Sequence, residues 1–381
     1  MKVHIALVGG QPAPVEKGIL ATAPDLVEFI YSQESKSAME IISRRIPCPI
    51  VPSEPLDPTD PEMILARIDS LIEKYESDEI TVNVSGGLKS WSHLFGIRFN
   101  ELPNATVIYV DQNSILWNYR TMSGTPVAQA DLANHLSLYG NDFQFISLSE
   151  YDRKDDLAAD AIEQARNFAT NEFNQLTFLF PSTKKKQWNE AVKNHYRDVF
   201  TLQSGSFLNW ERRAANGMGN ARIHLERKGG KIFDRYYESP HLVNLLFNSG
   251  WFEYKVAKIL SEWGGAKKVY LNCVFKSESH RDKNEVDIIV ETENRFIFVE
   301  CKTKLATSTD IDKFNSVKAS YGGTACLGIF VTINDLTDVE KEKCRQYGLI
   351  EPFAFHNDYK DDTRKKLYGL LNNALTRINA R

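Results

Sequence analysis

The sequence predicts a two-domain α/β chain: an open, Rossmann-like parallel sheet, then a unit of α-β-β-β-α-β order. Three observations predict it. Short apolar runs alternate with helix-period segments over roughly the first 145 residues, the pattern resets after residue 235, and 381 residues exceed one ordinary domain.

Residues 4–8 and 26–31 read as strands, 35–46 as an amphipathic helix and Ile50-Val51 as a short third strand. Pro61 opens a helical stretch reaching Tyr75, with Ile64, Leu65, Ile68, Leu71, Ile72 and Tyr75 at helical spacing. Residues 79–84 form a strand that runs into Ser85-Gly86-Gly87. The helix after it carries Leu88, Trp91, Leu94 and Phe95 on one face, and 105–110 is a nearly continuous apolar strand. Strands alternating with helices imply a parallel sheet covered on both faces.

The middle, 146–235, changes character. Helices are expected over 154–170 and 185–199, and a hairpin over 221–237 turned by Lys228-Gly229-Gly230-Lys231. The last part, 236–381, opens with a long helix over 239–263 that stops at Gly264-Gly265. Strands over 268–275, 285–291 and 295–301, a helix over 308–321, a strand over 326–332 and a helix over 338–347 follow. No internal repeat or low-complexity tract interrupts the chain.

Composition narrows the classes. Apolar residues make up 42% and charged residues 25%, normal for a folded globular chain, and no apolar run is long enough to span a bilayer. Residues 1–8 read as a first strand running into a glycine turn, not as a signal peptide. The cysteines Cys48, Cys273, Cys301, Cys326 and Cys344 are scattered and never spaced CxxC. Neither a disulfide framework nor a zinc site is supported, and the thiols fit the cytoplasm. A net charge of -4 argues against constitutive nucleic-acid binding. Locally the balance reverses: residues 184–235 hold twelve Lys and Arg against five acids, interleaved with Trp188, Tyr196, Phe207, Trp210, Phe233, Tyr236 and Tyr237. Such a run is either a solvated connector or a basic flank beside a nucleic-acid channel.

The chemistry concentrates in the last third. Asp287 sits in an otherwise apolar strand, Asn284-Glu285-Val286-Asp287-Ile288-Ile289-Val290, and Thr292-Glu293-Asn294 can turn the chain back. On the returning strand Glu300 and Lys302, two apart, share a face. A hairpin brings the three together, and burying two acids and a lysine among apolar residues is costly unless they pair or bind a cation. Oxygen-only carboxylate donors suit Mg²⁺ or Mn²⁺. The alternative is a structural acid–lysine bridge.

The Asp-strand, the Glu300-x-Lys302 strand and the α-β-β-β-α-β order together resemble the PD-(D/E)xK nuclease superfamily, the restriction-endonuclease-like fold. The resemblance covers about residues 239–332. It implies that Asp287 and Glu300 bind metal, that Lys302 is catalytic, and that Glu253 on the preceding helix is the further acid many members carry. Val286 stands where the family's leading proline would be.

Two glycine turns follow strands in the first domain: Gly9-Gly10-Gln11-Pro12 and Ser85-Gly86-Gly87-Leu88-Lys89. Both fall at carboxyl ends of strands in a parallel sheet, where ligands bind, and the helix-start amides with Lys89 make an anion site. Neither turn is G-x-G-x-x-G or a P-loop, which weighs against NAD and ATP. Domain order and both motif sets resemble the CRISPR-associated Rossmann-fold (CARF) ancillary nucleases. That resemblance implies a homodimer with a cyclic tetra-adenylate activator across its two-fold axis, and cleavage of single-stranded RNA and DNA once the activator binds. It implies Gly9, Gly10, Gln11 and Pro12 on one side of the ligand pocket and Ser85, Gly86, Gly87 and Lys89 on the other. Gln112 and Asn113, after the next strand, lie in reach of a ligand or form a plain polar loop. Other readings are a constitutive restriction or repair nuclease acting on DNA, and a catalytically silent sensor-linked regulator that binds nucleic acid.

Overall fold

The computed structural model describes residues 1–128, 131–139, 143–183, 196–213, 217–247, 249–276, 282–293, 295–323 and 326–379. In its first sheet β1 (Lys2–Leu7) is buried from its second residue on, as a strand covered on both faces must be. α1 (Pro12–Thr22) begins at a proline, whose fixed φ suits a first helical residue. β2 (Leu26–Ile30), α2 (Lys36–Ser43), β3 (Ile50–Val51), α3 (Pro61–Lys74), β4 (Glu79–Asn83), α4 (Lys89–Asn100) and β5 (Ala105–Val110) continue the alternation. The Asp60 carboxylate caps α3 by accepting the N–H groups of Glu62 and Met63. The strands lie in the order β3-β2-β1-β4-β5, all parallel. β6 (Ile115–Asn118) and β7 (Ser123–Pro126) extend the β5 edge antiparallel, an addition that the sequence does not announce.

α5 (Leu132–Leu138) then joins two cores. Leu132 and Leu136 pack with Phe296, Phe298 and Phe330 of the C-terminal sheet, and Leu138 packs with α1 and α2 residues Val15, Ile19 and Ile42. β8 (Phe143–Ser147) follows and belongs to the C-terminal sheet, so a boundary at residue 145 falls inside a strand.

The middle region consists of α6 (Arg153–Phe168), α7 (Thr170–Thr183) and an antiparallel sheet of β9 (Tyr196–Thr201), β10 (Phe207–Arg212), β11 (Gly219–Arg227) and β12 (Lys231–Ser239). The expected hairpin is present, with Arg227 opposite Lys231. Of the helix expected over 185–199, residues 185–195 lie outside the described residues, while 196–199 belong to β9, held by its ladder to β10. Lys184, Lys185, Lys186, Trp188 and Lys193 likewise lie outside the described residues. Trp210 and Tyr237 are buried core residues, not part of an exposed aromatic series, and Arg222 is ion-paired with Asp234 at 2.6 Å.

The single helix expected over 239–263 is two, α8 (Leu242–Leu246) and α9 (Gly250–Ser261). Ser249 adopts the left-handed conformation, φ 68°, and the chain turns so sharply that a Cβ on Gly250 would lie 1.7 Å from the Asn244 carbonyl oxygen. Beyond it come β13 (Lys268–Lys276), β14 (Asp282–Glu291), β15 (Phe296–Lys302), α10 (Ser308–Val317), β16 (Cys326–Thr332) and α11 (Asp338–Gln346), the expected order. β17 (Phe353–Ala354) and α12 (Asp361–Asn379) complete it. The sheet runs β17-β16-β15-β14-β13-β8, antiparallel from β8 to β15 and parallel from β15 to β17. One hydrophobic core runs from α6 and the four-stranded sheet into α9 and one face of this six-stranded sheet.

Candidate active site and ligand pocket

β14 and β15 pair through Ile288 and Val299, and just past that pair the strands diverge. There Asp287 Oδ2 accepts the Cys301 backbone N–H at 2.7 Å, so the carboxylate lies against the returning strand instead of in solvent. Glu300 and Lys302 share a face as expected: Lys302 Nζ donates to Glu300 Oε1 at 2.6 Å. α9 packs on the same strands and presents buried Glu253 to them.

Electrostatics ties the four together. Burial pushes the Asp287 carboxyl well above the usual range, the Glu300 charge adds to the push, and Lys302 and the Cys301 N–H only partly offset it. Glu253 is pushed up in the same way by burial, then by Asp287, Glu285 and Glu300. Burial raises Glu300 as well, against the opposing pull of Lys302. Burial opposes the charge on Lys302, but Glu300 and Asp287 outweigh it and hold the ammonium charged well past its ordinary range.

This is a nest of buried acids with more negative charge than one lysine neutralises, and a divalent cation fits it. The donors are carboxylate oxygens alone, which suits Mg²⁺ or Mn²⁺. Among the described residues no three His, Cys, Asp or Glu side chains are arranged to hold an ion by themselves.

In the first domain the two glycine turns meet. A Cβ on Gly9 would lie 2.7 Å from the Gly87 nitrogen, and one on Gly86 2.4 Å from the Leu7 carbonyl oxygen. They close the floor of a cavity of about 510 Å³ at the carboxyl ends of β1 and β4. Gly9, Gly10, Pro12 and Gly87 line it. The other expected residues support it or flank it. Gln11 Oε1 accepts the Tyr139 hydroxyl at 3.0 Å, and Ser85 Oγ accepts the Val110 N–H at 2.7 Å. Gly86 is packed beneath the loop, and Lys89 is exposed at the first residue of α4, outside the lining. Ser32, Glu34, Ser35 and Tyr139, not expected from the sequence, complete the wall. The first three follow β2 at a strand's carboxyl end, the same signal that marked Gly9; Tyr139 arrives from α5 and carries no local signal. Asn113 faces the other domain: its Oδ1 accepts from Arg295 Nη2 at 2.5 Å.

Residues 242–365 match the family model described as the Card1-like endonuclease domain. Can2 from Sulfobacillus thermosulfidooxidans, solved in complex with cyclic tetra-adenylate, is similar over 98% of this chain and 99% of its own, with a TM-score of 0.67 and 18% identity. Protein VC1899 from Vibrio cholerae is similar over 98% of both chains, with a TM-score of 0.66 and 18% identity. A type III CRISPR defence DNA nuclease activated by cyclic oligoadenylate matches 87% of this chain and 45% of its own, with a TM-score of 0.50 and 17% identity. No curated sequence matches the chain. At these identities the structural likeness is one of fold. Fold and domain match define a nuclease that carries a Rossmann-like domain of the sensor type. Its C-terminal part, residues 242–365, matches a Card1-like endonuclease domain, and the whole chain shares the fold of Can2.

Proposed function

We propose that the chain is a cyclic tetra-adenylate-activated, metal-dependent endonuclease that cuts single-stranded RNA and DNA in type III CRISPR antiviral defence, acting in the cytoplasm as a homodimer. The chain up to β8 serves as the sensor, 148–235 as the connector and 236–381, together with β8, as the nuclease. The observation that carries this reading is the convergence of Glu253, Asp287, Glu300 and Lys302, four ionisable side chains around one end of an otherwise apolar hairpin. The two-turn cavity in the sensor, together with the cyclic tetra-adenylate held by the similarly folded Can2, supports the activator.

Asp287 and Glu300 would hold the ion, with buried Glu253 near enough to feel their charge. A bound Mn²⁺ or Mg²⁺ would supply Lewis acidity toward the phosphate. Lys302, kept charged by its acidic neighbours, stabilises the negative charge that grows on the phosphate as water attacks. Glu300 fixes that ammonium through the 2.6 Å bond, and the Cys301 N–H fixes the Asp287 carboxylate through the 2.7 Å one, so neither group must reorganise during the reaction. In the sensor, Gly9, Gly10, Pro12 and Gly87 let backbone approach the ring, and Lys89 meets a phosphate at the rim. Gln11, Ser85 and Gly86 hold the two turns in place.

The test is cleavage of labelled single-stranded RNA and DNA with Mn²⁺, with and without cyclic tetra-adenylate. Strong cleavage only with the activator is expected. Equal cleavage in its absence would leave a constitutive nuclease, and no cleavage under any condition would leave a silent regulator.

A further inference from the structure

A second cavity, of about 230 Å³, opens just beyond Lys302. Thr303 and Lys304, the next two residues, form one wall, and Ser249 and Trp251, close before Glu253, form another. The Ser249 and Thr303 hydroxyls bond each other at 2.6 Å and tie the start of α9 to the end of β15. Opposite them stands α7, whose Phe173 and Leu176 enter the core while Phe178 stays 60% exposed. The Lys304 ammonium lies 5.2 Å from the Phe178 ring centroid.

Arg166 closes the back. It is only 8% exposed, burial lowers its pKa, and one Nη2 hydrogen goes to the Thr303 carbonyl oxygen at 3.2 Å. A guanidinium has five N–H donors in a planar fork, and its acceptors among the described residues are Thr303 O and Asn167 Oδ1, which leaves donors for an anion. A buried arginine, a lysine at the mouth and an aromatic ring held in water match a nucleotide. The cations suit its phosphate, and the ring suits its base.

We propose that this cavity receives the nucleotide next to the scissile phosphate, its base stacked on Phe178 and its phosphate directed to Arg166 and Lys304. The inference rests on the nuclease reading and deepens it. A base in this cavity has left its stack, so the site selects single strands over intact duplex, and stacking tolerates any base.

The experiment compares wild type with Phe178→Ala and Lys304→Ala, all with Mn²⁺ and cyclic tetra-adenylate, on an oligothymidylate carrying a single abasic position moved along the strand. A strand built wholly of abasic tetrahydrofuran units, a diester without a base or any aromatic ring, serves as the second substrate. Phe178→Ala is expected to raise KM for the intact strand about tenfold while leaving diester hydrolysis unchanged. The abasic position beside the cut is expected to cost the wild type a similar factor and the variant nothing further. Lys304→Ala is expected to raise KM and to flatten its dependence on salt. An unchanged KM in Phe178→Ala, or an abasic penalty equal in variant and wild type, overturns the pocket while cleavage stands. A wild type that cuts neither strand nor diester overturns the nuclease reading and the pocket with it.

Discussion

Arg295, at the start of the strand that carries Glu300 and Lys302, donates through Nη2 to Asn113 Oδ1 of the first domain at 2.5 Å. Burial lowers the pKa of this guanidinium, and Asp111, another sensor residue, acts in the opposite direction. The same joint holds two more contacts: His135 Nε2 lies 3.2 Å from the Gly322 carbonyl oxygen, and Tyr139, which bonds Gln11 at the ligand cavity, stands against Gly323. The cavity wall and the start of β15 thus belong to one joint within the chain.

A hydrogen bond to a charged group contributes about 1.5–3 kcal/mol, and about 1.4 kcal/mol is tenfold. Asn113→Ala is therefore expected to cut the ratio of activated to unactivated cleavage by about tenfold, with activator affinity near wild type. Initial rates with and without cyclic tetra-adenylate, beside calorimetric titration, check it. An unchanged ratio would show that this joint carries no signal.

Asp287→Ala and Glu300→Ala should each lower cleavage by orders of magnitude, and Lys302→Ala likewise without loss of metal binding. Stability should move the other way at one position. A carboxyl whose folded pKa is raised above its unfolded one destabilises the fold when ionised at neutral pH. Without metal, Asp287→Asn should then melt at a higher temperature than wild type, since an amide oxygen still accepts the Cys301 N–H. Added Mn²⁺ should raise the wild-type melting temperature and leave the variant's where it was. Identical metal responses would remove Asp287 from the donor set.

Lys89 is exposed at the start of α4 and does not line the cavity, so it acts only on a ligand that overhangs the rim. A ring shared by two protomers meets it twice. Two losses of about 1.4 kcal/mol give about a hundredfold weaker binding for Lys89→Ala. Equal affinities by calorimetry would move the phosphates elsewhere in the pocket.

Two histidines set an acid limit. Burial lowers the His4 pKa to about 3, and burial likewise lowers His135 to about 4, the Gly322 carbonyl opposing and Lys17 assisting. Each is neutral in the folded chain and binds a proton more readily when unfolded. Their full contribution is present above about pH 6.5, the unfolded value. It is lost as pH falls from there toward about 4, at about 1.4 kcal/mol per pH unit for each residue. Urea unfolding across that range should show the slope, and His135→Gln should roughly halve it. A slope that His135→Gln leaves intact would place the titration elsewhere.

Much of this was legible in the chain. Asp287, Glu300 and Lys302 could be brought together on paper because strand periodicity fixes which side chains share a face, and the Cys301–Asp287 and Lys302–Glu300 bonds hold them there. β16 appeared over the residues its apolar run marks, 326–332. What failed depended on contacts distant in sequence. The break between α8 and α9 comes from a backbone approach between Gly250 and Asn244 that no helical periodicity announces. β6 and β7 are short, and β7 is exposed throughout, so no apolar pattern marks them. Tyr139 reaches the cavity from α5, a helix whose placement depends on both cores at once. Residues 196–201 joined a sheet through β10, a partner that periodicity did not reveal.

β8 changes what counts as a separable part. Its pairing with β13 means that the six-stranded sheet borrows its outermost strand from chain that precedes α6. A recombination point placed anywhere from residue 148 to the start of β13 would hand the nuclease to a new sensor without that strand. Row upon row of β13 amides and carbonyls would then face solvent, an invitation to pair with another copy. Sensors exchanged among such proteins should therefore have their seams upstream of Phe143, and chimaeras joined there should remain soluble where those joined after Ser147 aggregate.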